Sequence, residues 1–175
     1  MMQIQLMKAR KIVLFFIALF LIFYSCKKES VTPSSGTETP VDSTDNSQPL
    51  MLQLVNSVRT KGCTCGATVM PAVKPLAWNK TLEQVAIAHS SDMNTNNYFS
   101  HTGLDGSTPG DRITKAGYKW ASYGENIAFN YPDEQAVMDG WLQSEGHCKN
   151  IMDADFKEMG SGKSGAYWTQ DFGSR

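Results

Sequence analysis

Histidine is scarce in this 175-residue chain: there are three, His89, His101 and His147. No His-Glu-x-x-His segment occurs, and no Ser or Cys stands in a recognisable nucleophile turn, so the common signatures of zinc peptidases and serine hydrolases are missing. No internal repeat is visible. Charge of neither sign dominates, with 16 Lys+Arg against 17 Asp+Glu. There is no basic stripe, so nucleic acid is not expected as a partner. Nor is there a long hydrophobic run. The apolar stretch from Ile12 to Tyr24 has 13 residues, whereas a helix needs about 20 to cross a bilayer.

That short run has a different use. Lys8, Arg10 and Lys11 precede it and Ser25-Cys26 follows, the order of a secretory signal over residues 1–25. Cys26 followed by Lys27-Lys28 is similar to a bacterial lipoprotein processing site, with Cys26 lipidated and the protein held in the cell envelope. Phe23 and Tyr24 are bulkier than that motif usually carries. Residues 26–48 are rich in Ser, Thr, Pro, Asp and Glu. They cannot bury enough surface to offset their ordering entropy, and read as a tether. Removing residues 1–25 takes three basic residues and no acidic ones, leaving 13 against 17, a net of −4. Residues 49–175 are then one domain of ordinary size.

Beyond Cys26 the chain carries Cys63, Cys65 and Cys148. In an exported protein this implies one disulfide and one further thiol. Cys63 and Cys65 are too close to pair comfortably in an extended segment, so one of them meets Cys148; Cys65 with Cys148 is the working pair. Zinc is a weaker reading of these cysteines, because Cys-x-Cys lacks the usual two-residue spacing.

Apolar spacing predicts helices over 49–61 and from Thr81 as N-cap through Met93; proline at the first turn predicts two more, Pro109–Ala116 ended by Gly117 and Pro132–Leu142 with Asp133 and Glu134 near its positive end. Asn126–Phe129 reads as a short buried segment. Phe156–Gly162 and Ala166–Phe172 read as strands joined by a Gly-Lys-Ser-Gly turn. Helices first and a hairpin late make an α+β domain with helices on an antiparallel sheet.

Chemistry concentrates in three segments: Tyr98-Phe99-Ser100-His101-Thr102, Gly124-Glu125-Asn126-Ile127 and Trp141-Leu142-Gln143-Ser144-Glu145-Gly146-His147. Each reads as a turn, where binding residues gather. Imidazole and carboxylate suit a divalent metal or proton transfer near neutral pH. His89 lies on the apolar face of its helix and is assigned to the core. Trp78, Trp120, Trp141 and Trp168 are assigned to core or cleft wall, and Asp92 and Asn126 to bracing the backbone.

These segments, with His89-Ser90-Ser91-Asp92-Met93, Gly146-His147-Cys148-Lys149-Asn150-Ile151-Met152 and Tyr167-Trp168-Thr169-Gln170-Asp171-Phe172, occur in one order over Leu50 to Phe172. That order resembles the CAP superfamily (cysteine-rich secretory, antigen, pathogenesis-related), in its bacterial SCP-like extracellular branch. The resemblance implies a three-layer α-β-α sandwich with a cleft. Eukaryotic members place two histidines and two glutamates there. One histidine maps onto His101 and one glutamate onto Glu125. Ser144 and Tyr167 stand in the other two places, so half of that set is lost. The bacterial branch carries His147 instead. Glu145, where that branch often has proline, is an extra carboxylate or a solvated turn residue.

The cleft set is therefore His101, Glu125, Ser144, Glu145, His147 and Tyr167. His101, Glu125 and His147 are the expected ligands of a divalent metal such as zinc. The expected function is a lipid-anchored, non-catalytic module binding a small molecule, lipid or peptide. The alternatives are a metal-dependent envelope hydrolase with Glu125 as base, and a protein–protein adhesion or defence module. No catalytic residue is assigned.

Overall fold

The computed structural model describes residues 48–175; the signal, lipidation and most of the tether readings lie outside them. Five helices and six strands follow in order: α1 (Leu50–Arg59), β1 (Cys63–Cys65), β2 (Thr68–Met70), β3 (Ala77–Trp78), α2 (Lys80–Asn96), α3 (Pro109–Lys115), β4 (Ser122–Phe129), α4 (Glu134–Gln143), α5 (Glu145–Met152), β5 (Glu158–Ser164) and β6 (Tyr167–Ser174). The main sheet has strand order β3-β5-β6-β4, antiparallel except where β3 meets β5. β1 and β2 form a separate hairpin.

The sheet is covered on both faces, which makes the three-layer α-β-α sandwich. Met51 and Val55 of α1, Met138 and Trp141 of α4, and Ile151 and Met152 of α5 pack with Met159, Trp168 and Phe172 of the sheet. On the other face Leu82 and Val85 of α2 pack with Ile113 and Tyr118. Strand alternation on β6 divides the layers: Trp168 and Phe172 join the first core, while Thr169 accepts from Ser90 of α2. α2 lies almost on the sheet backbone. A Cβ at Gly160 would stand 2.0 Å from the amide nitrogen of Glu83, and one at Gly162 2.5 Å from that of Ile87. Glycine is what permits this approach.

Several boundaries differ from the sequence expectation. α2 is capped by Asn79, whose Oδ1 accepts from Thr81 and Leu82, and not by Thr81. α4 starts after Asp133, whose carboxylate accepts from Ala136, so Pro132 lies outside the helix. The buried segment is the C-terminal half of a longer strand, β4. The late hairpin turns tightly at Gly165 and not over Gly162–Gly165. Trp120 is neither core nor cleft wall. It is 40% exposed, donates Nε1 to Thr114 Oγ1 and meets Tyr123 edge-on.

Candidate functional site

β4 is an edge strand of the main sheet, and the site is built along it. Its outward carbonyls are covered by side chains. Trp141 donates Nε1 to Ile127 O at 3.3 Å, and Asn150 donates Nδ2 to Glu125 O at 3.2 Å. The edge is thereby closed to further strand pairing.

Glu125 points from β4 toward α3 with its side chain 2% exposed. Both carboxylate oxygens are used: Oε1 accepts from His101 Nδ1 at 2.6 Å and Oε2 from Arg112 Nη2 at 2.5 Å. Glu125 is thus a buried strand residue and not a turn residue. Arg112, on α3, also donates Nη1 to His101 O and Ser107 O, at 2.9 and 3.0 Å. One guanidinium therefore fixes both the carboxylate and the loop carrying His101. His89, buried in the core as expected, holds the same loop from beneath, with Nε2 3.0 Å from Ser100 O. Burial lowers its pKa first, partly opposed by the charge of Glu125.

Asp171 lies directly across from Glu125 in the β4–β6 register. It is fully buried, and its carboxyl oxygens accept from no N–H or neutral O–H donor among the described residues, its hydrogen-bonding neighbour being the Glu125 carboxylate. Burial, and then the charge of Glu125, push its pKa well above the usual carboxylate range. The two facing carboxyls thus favour retention of a proton on Asp171.

His147 is the third residue of α5, a helix where a turn was expected. Ser144 ends α4 and begins α5. Asn126, fully buried, donates Nδ2 to His147 O at 3.2 Å and to Gln170 Oε1, and accepts from Asn150. It braces the α5 entrance against the sheet. Burial lowers the pKa of His147, and the charge of His101 lowers it further, so the two imidazoles sense each other.

Beside His147 runs a groove of about 290 Å3 lined by Phe99, Ile127, Phe129, Tyr131, Trp141 and Ser144 among others. Phe99 and Phe129 are about half exposed. Tyr167 packs on Phe129, with ring centroids 4.8 Å apart, and faces Phe99. Glu145 is not in this cleft. Its carboxylate pairs with Lys149 one turn along α5, at 2.6 Å, and lies over Gly66 in the β1–β2 turn.

Glu125 meets an obstacle to being a ligand, because Arg112 and His101 already occupy its oxygens. Among the described residues, the ligand-bearing side chains whose donor atoms all lie within 4.8 Å of one another are Cys63, Cys65 and Cys148, a group that can hold a metal ion. Cys65 and Cys148 form a disulfide, Cα–Cα 5.4 Å.

Arg112 and Asp171 were not anticipated as site residues. Asp171 carried a signal: aspartate is depleted in strands, yet it stands inside a strand between Gln170 and Phe172. Arg112 carried none beyond its place in a capped helix.

Among the described residues no helix is long and apolar enough to cross a membrane. A family profile described as "CAP: Cysteine-rich secretory protein family" matches residues 52–172. The chain is 36% identical over 126 residues to the uncharacterized membrane protein YlbC of Bacillus subtilis, covering 72% of this chain and 34% of that protein. It is also 36% identical over 124 residues to the uncharacterized protein YkwD of the same organism, covering 70% and 45%. It thus spans less than half the length of these two relatives. An extracellular protein containing a SCP domain from Bacillus anthracis superposes with a TM-score of 0.65 at 36% identity, over 71% of this chain and 39% of that one. An outer surface protein of Borrelia burgdorferi gives a TM-score of 0.62 at 23% identity, over 72% and 90%, a likeness of fold alone.

Proposed function

The chain belongs to the cysteine-rich secretory protein (CAP) family, and from that premise we propose that it is an exported domain, lipid-anchored through Cys26, that binds a ligand in its cleft without turning it over. The observation carrying this reading is the placement of His147 on the wall of an aromatic groove, electrostatically coupled to a half-exposed His101. Sites for small ligands are typically apolar clefts with a few placed polar groups, from about 300 Å3 upward. A groove of about 290 Å3 suits a compact apolar group, such as an aromatic side chain of a peptide or the end of a lipid chain.

The polar end is set by charge. A carboxylate only accepts, so His101 donates from Nδ1 to Glu125, and Nε2 is the ring nitrogen left for a ligand. His147, its pKa lowered, stays neutral further into mild acid than a free imidazole. A divalent metal such as zinc would take His101 and His147 as its ligands, with Glu125 orienting His101 from behind. Such an ion would supply a Lewis-acidic contact for an oxygen of the ligand. Glu125 is poorly placed as a general base, since both oxygens are already engaged. That favours binding over hydrolysis.

Calorimetric titration of the disulfide-bonded full chain with Zn2+ tests the metal-holding form. Binding is expected, and is expected to vanish in a His101→Ala, His147→Ala double variant. Unchanged binding in that variant would remove the cleft from the account. Chelator-sensitive turnover of casein or peptidoglycan would replace the binding reading with a hydrolase.

A further inference from the structure

Cys63 and Cys65 stand two apart on β1, where side chains share one side of a strand. Cys148 comes from α5. Cys63 Sγ lies 3.7 Å from Cys148 Sγ and 3.9 Å from Cys65 Sγ. The near-equality of these distances means that Cys63 flanks the disulfide and does not stand in line with it. Thiol–disulfide exchange proceeds by direct attack of a thiolate on one sulfur, and this placement does not aim Cys63 along the bond.

The same triangle suits a different chemistry. In a tetrahedral thiolate site with Zn–S of about 2.3 Å, neighbouring sulfurs are about 3.8 Å apart. Two of the three edges here already have that length with the disulfide closed. The third opens to it when the bond is reduced. Cys65 and Cys148 are fully buried and Cys63 is half-buried, so an ion would enter past Cys63. No His, Asp or Glu of the described residues joins the group, which leaves a fourth position for water or an external ligand.

We propose that Cys63, Cys65 and Cys148 form a redox-gated site for a thiophilic cation of the Zn2+ class, closed while the disulfide stands and formed when it is reduced. A dithiol reductant gives two electrons and two protons to the disulfide and becomes a disulfide itself. The cation then displaces the thiol protons to solvent as three thiolates ligate it. The site is separate from the cleft histidines.

The test uses the full chain carrying Cys26→Ser, so that no other thiol contributes. The chain is reduced with a phosphine and titrated with Co2+, then Zn2+. A thiolate-to-cobalt charge-transfer band is expected, bleached by Zn2+ and absent from the oxidised chain, and saturating at one ion per chain in a His101→Ala, His147→Ala background. Cys63→Ser should weaken binding roughly tenfold or more, since it removes one thiolate from a three-thiolate set. His101→Ala with His147→Ala should leave the band unchanged. Near-UV circular dichroism follows folding in parallel. No band in the reduced chain, a band indifferent to Cys63→Ser, or a reduced chain unfolded with and without metal would each overturn the proposal.

Discussion

Replacing Glu125 with glutamine probes the buried charge system under the cleft. The wild-type carboxylate holds two charge-assisted hydrogen bonds, at 2.6 Å to His101 and 2.5 Å to Arg112, with its side chain 2% exposed. Breaking a buried pair by removing one partner costs about 3–5 kcal/mol, because the other charge is left uncompensated. The full loss should not appear in the single variant. The charge of Glu125 is one of the causes holding the Asp171 pKa up, so its loss makes Asp171 easier to ionise and able to serve Arg112 instead. Glu125→Gln is therefore expected to cost about 2 kcal/mol, and Glu125→Gln with Asp171→Asn about 4 kcal/mol. At roughly 3–5 °C per kcal/mol for a domain of this size, these correspond to Tm losses of about 6–10 °C and 12–20 °C. Calorimetric melting of the three variants at pH 7 reads them directly. Asp171→Asn alone should not destabilise. A double variant no less stable than Glu125→Gln would show that Asp171 does not act as the reserve counter-charge, and the reasoning would fail.

Four further outcomes are expected. The folded-state pKa of Asp171 is raised above its unfolded value of about 3.9, so its contribution is intact below that value and is lost as pH rises. The Tm advantage of Asp171→Asn over wild type should therefore grow from pH 4 toward neutrality, and a constant difference would refute the assignment. Glu158 has the opposite sign. Arg175 foremost, with Tyr118 and Asn79, lowers its pKa to about 2, so the stability it adds is present above about pH 4.3, its unfolded value, and is lost as pH falls; Glu158→Gln should flatten the acid limb of Tm against pH. Gly160→Ala places a Cβ 2.0 Å from the Glu83 nitrogen and should cost about 1–3 kcal/mol or more as α2 is pushed outward, measured by urea unfolding. Cys26→Ser should abolish incorporation of labelled fatty acid during expression; retained label would refute lipidation at Cys26.

The layers of this fold were readable where one face repeats. α1 and α2 show apolar residues at helical spacing, α3 is marked by its leading Pro109 and trailing Gly117, and the late hairpin shows its glycine-rich turn. α5 was not readable, because Glu145-Gly146-His147-Cys148-Lys149-Asn150 is polar and glycine-bearing, and its apolar Ile151 and Met152 come only at the end. β4 was half hidden for a different reason. It is covered on both faces, so Glu125 and Asn126 are buried polar residues and no alternation marks the strand. His101, Glu125 and His147 could be singled out as chemistry-bearing residues. The lock on Glu125 could not, because Arg112 arrives from a different helix through a tertiary contact. The position of Glu145 turned on the local pull of Lys149, a helix-surface pairing four residues apart.

The central claim is that His101 and His147 together face one ligand site. It is tested most directly by following their imidazole carbon-bound proton resonances in the disulfide-bonded full chain during a Zn2+ titration at neutral pH. The account predicts that both sets of resonances move with one common dissociation constant while those of His89 stay fixed. Movement of neither, or of one alone, would contradict it.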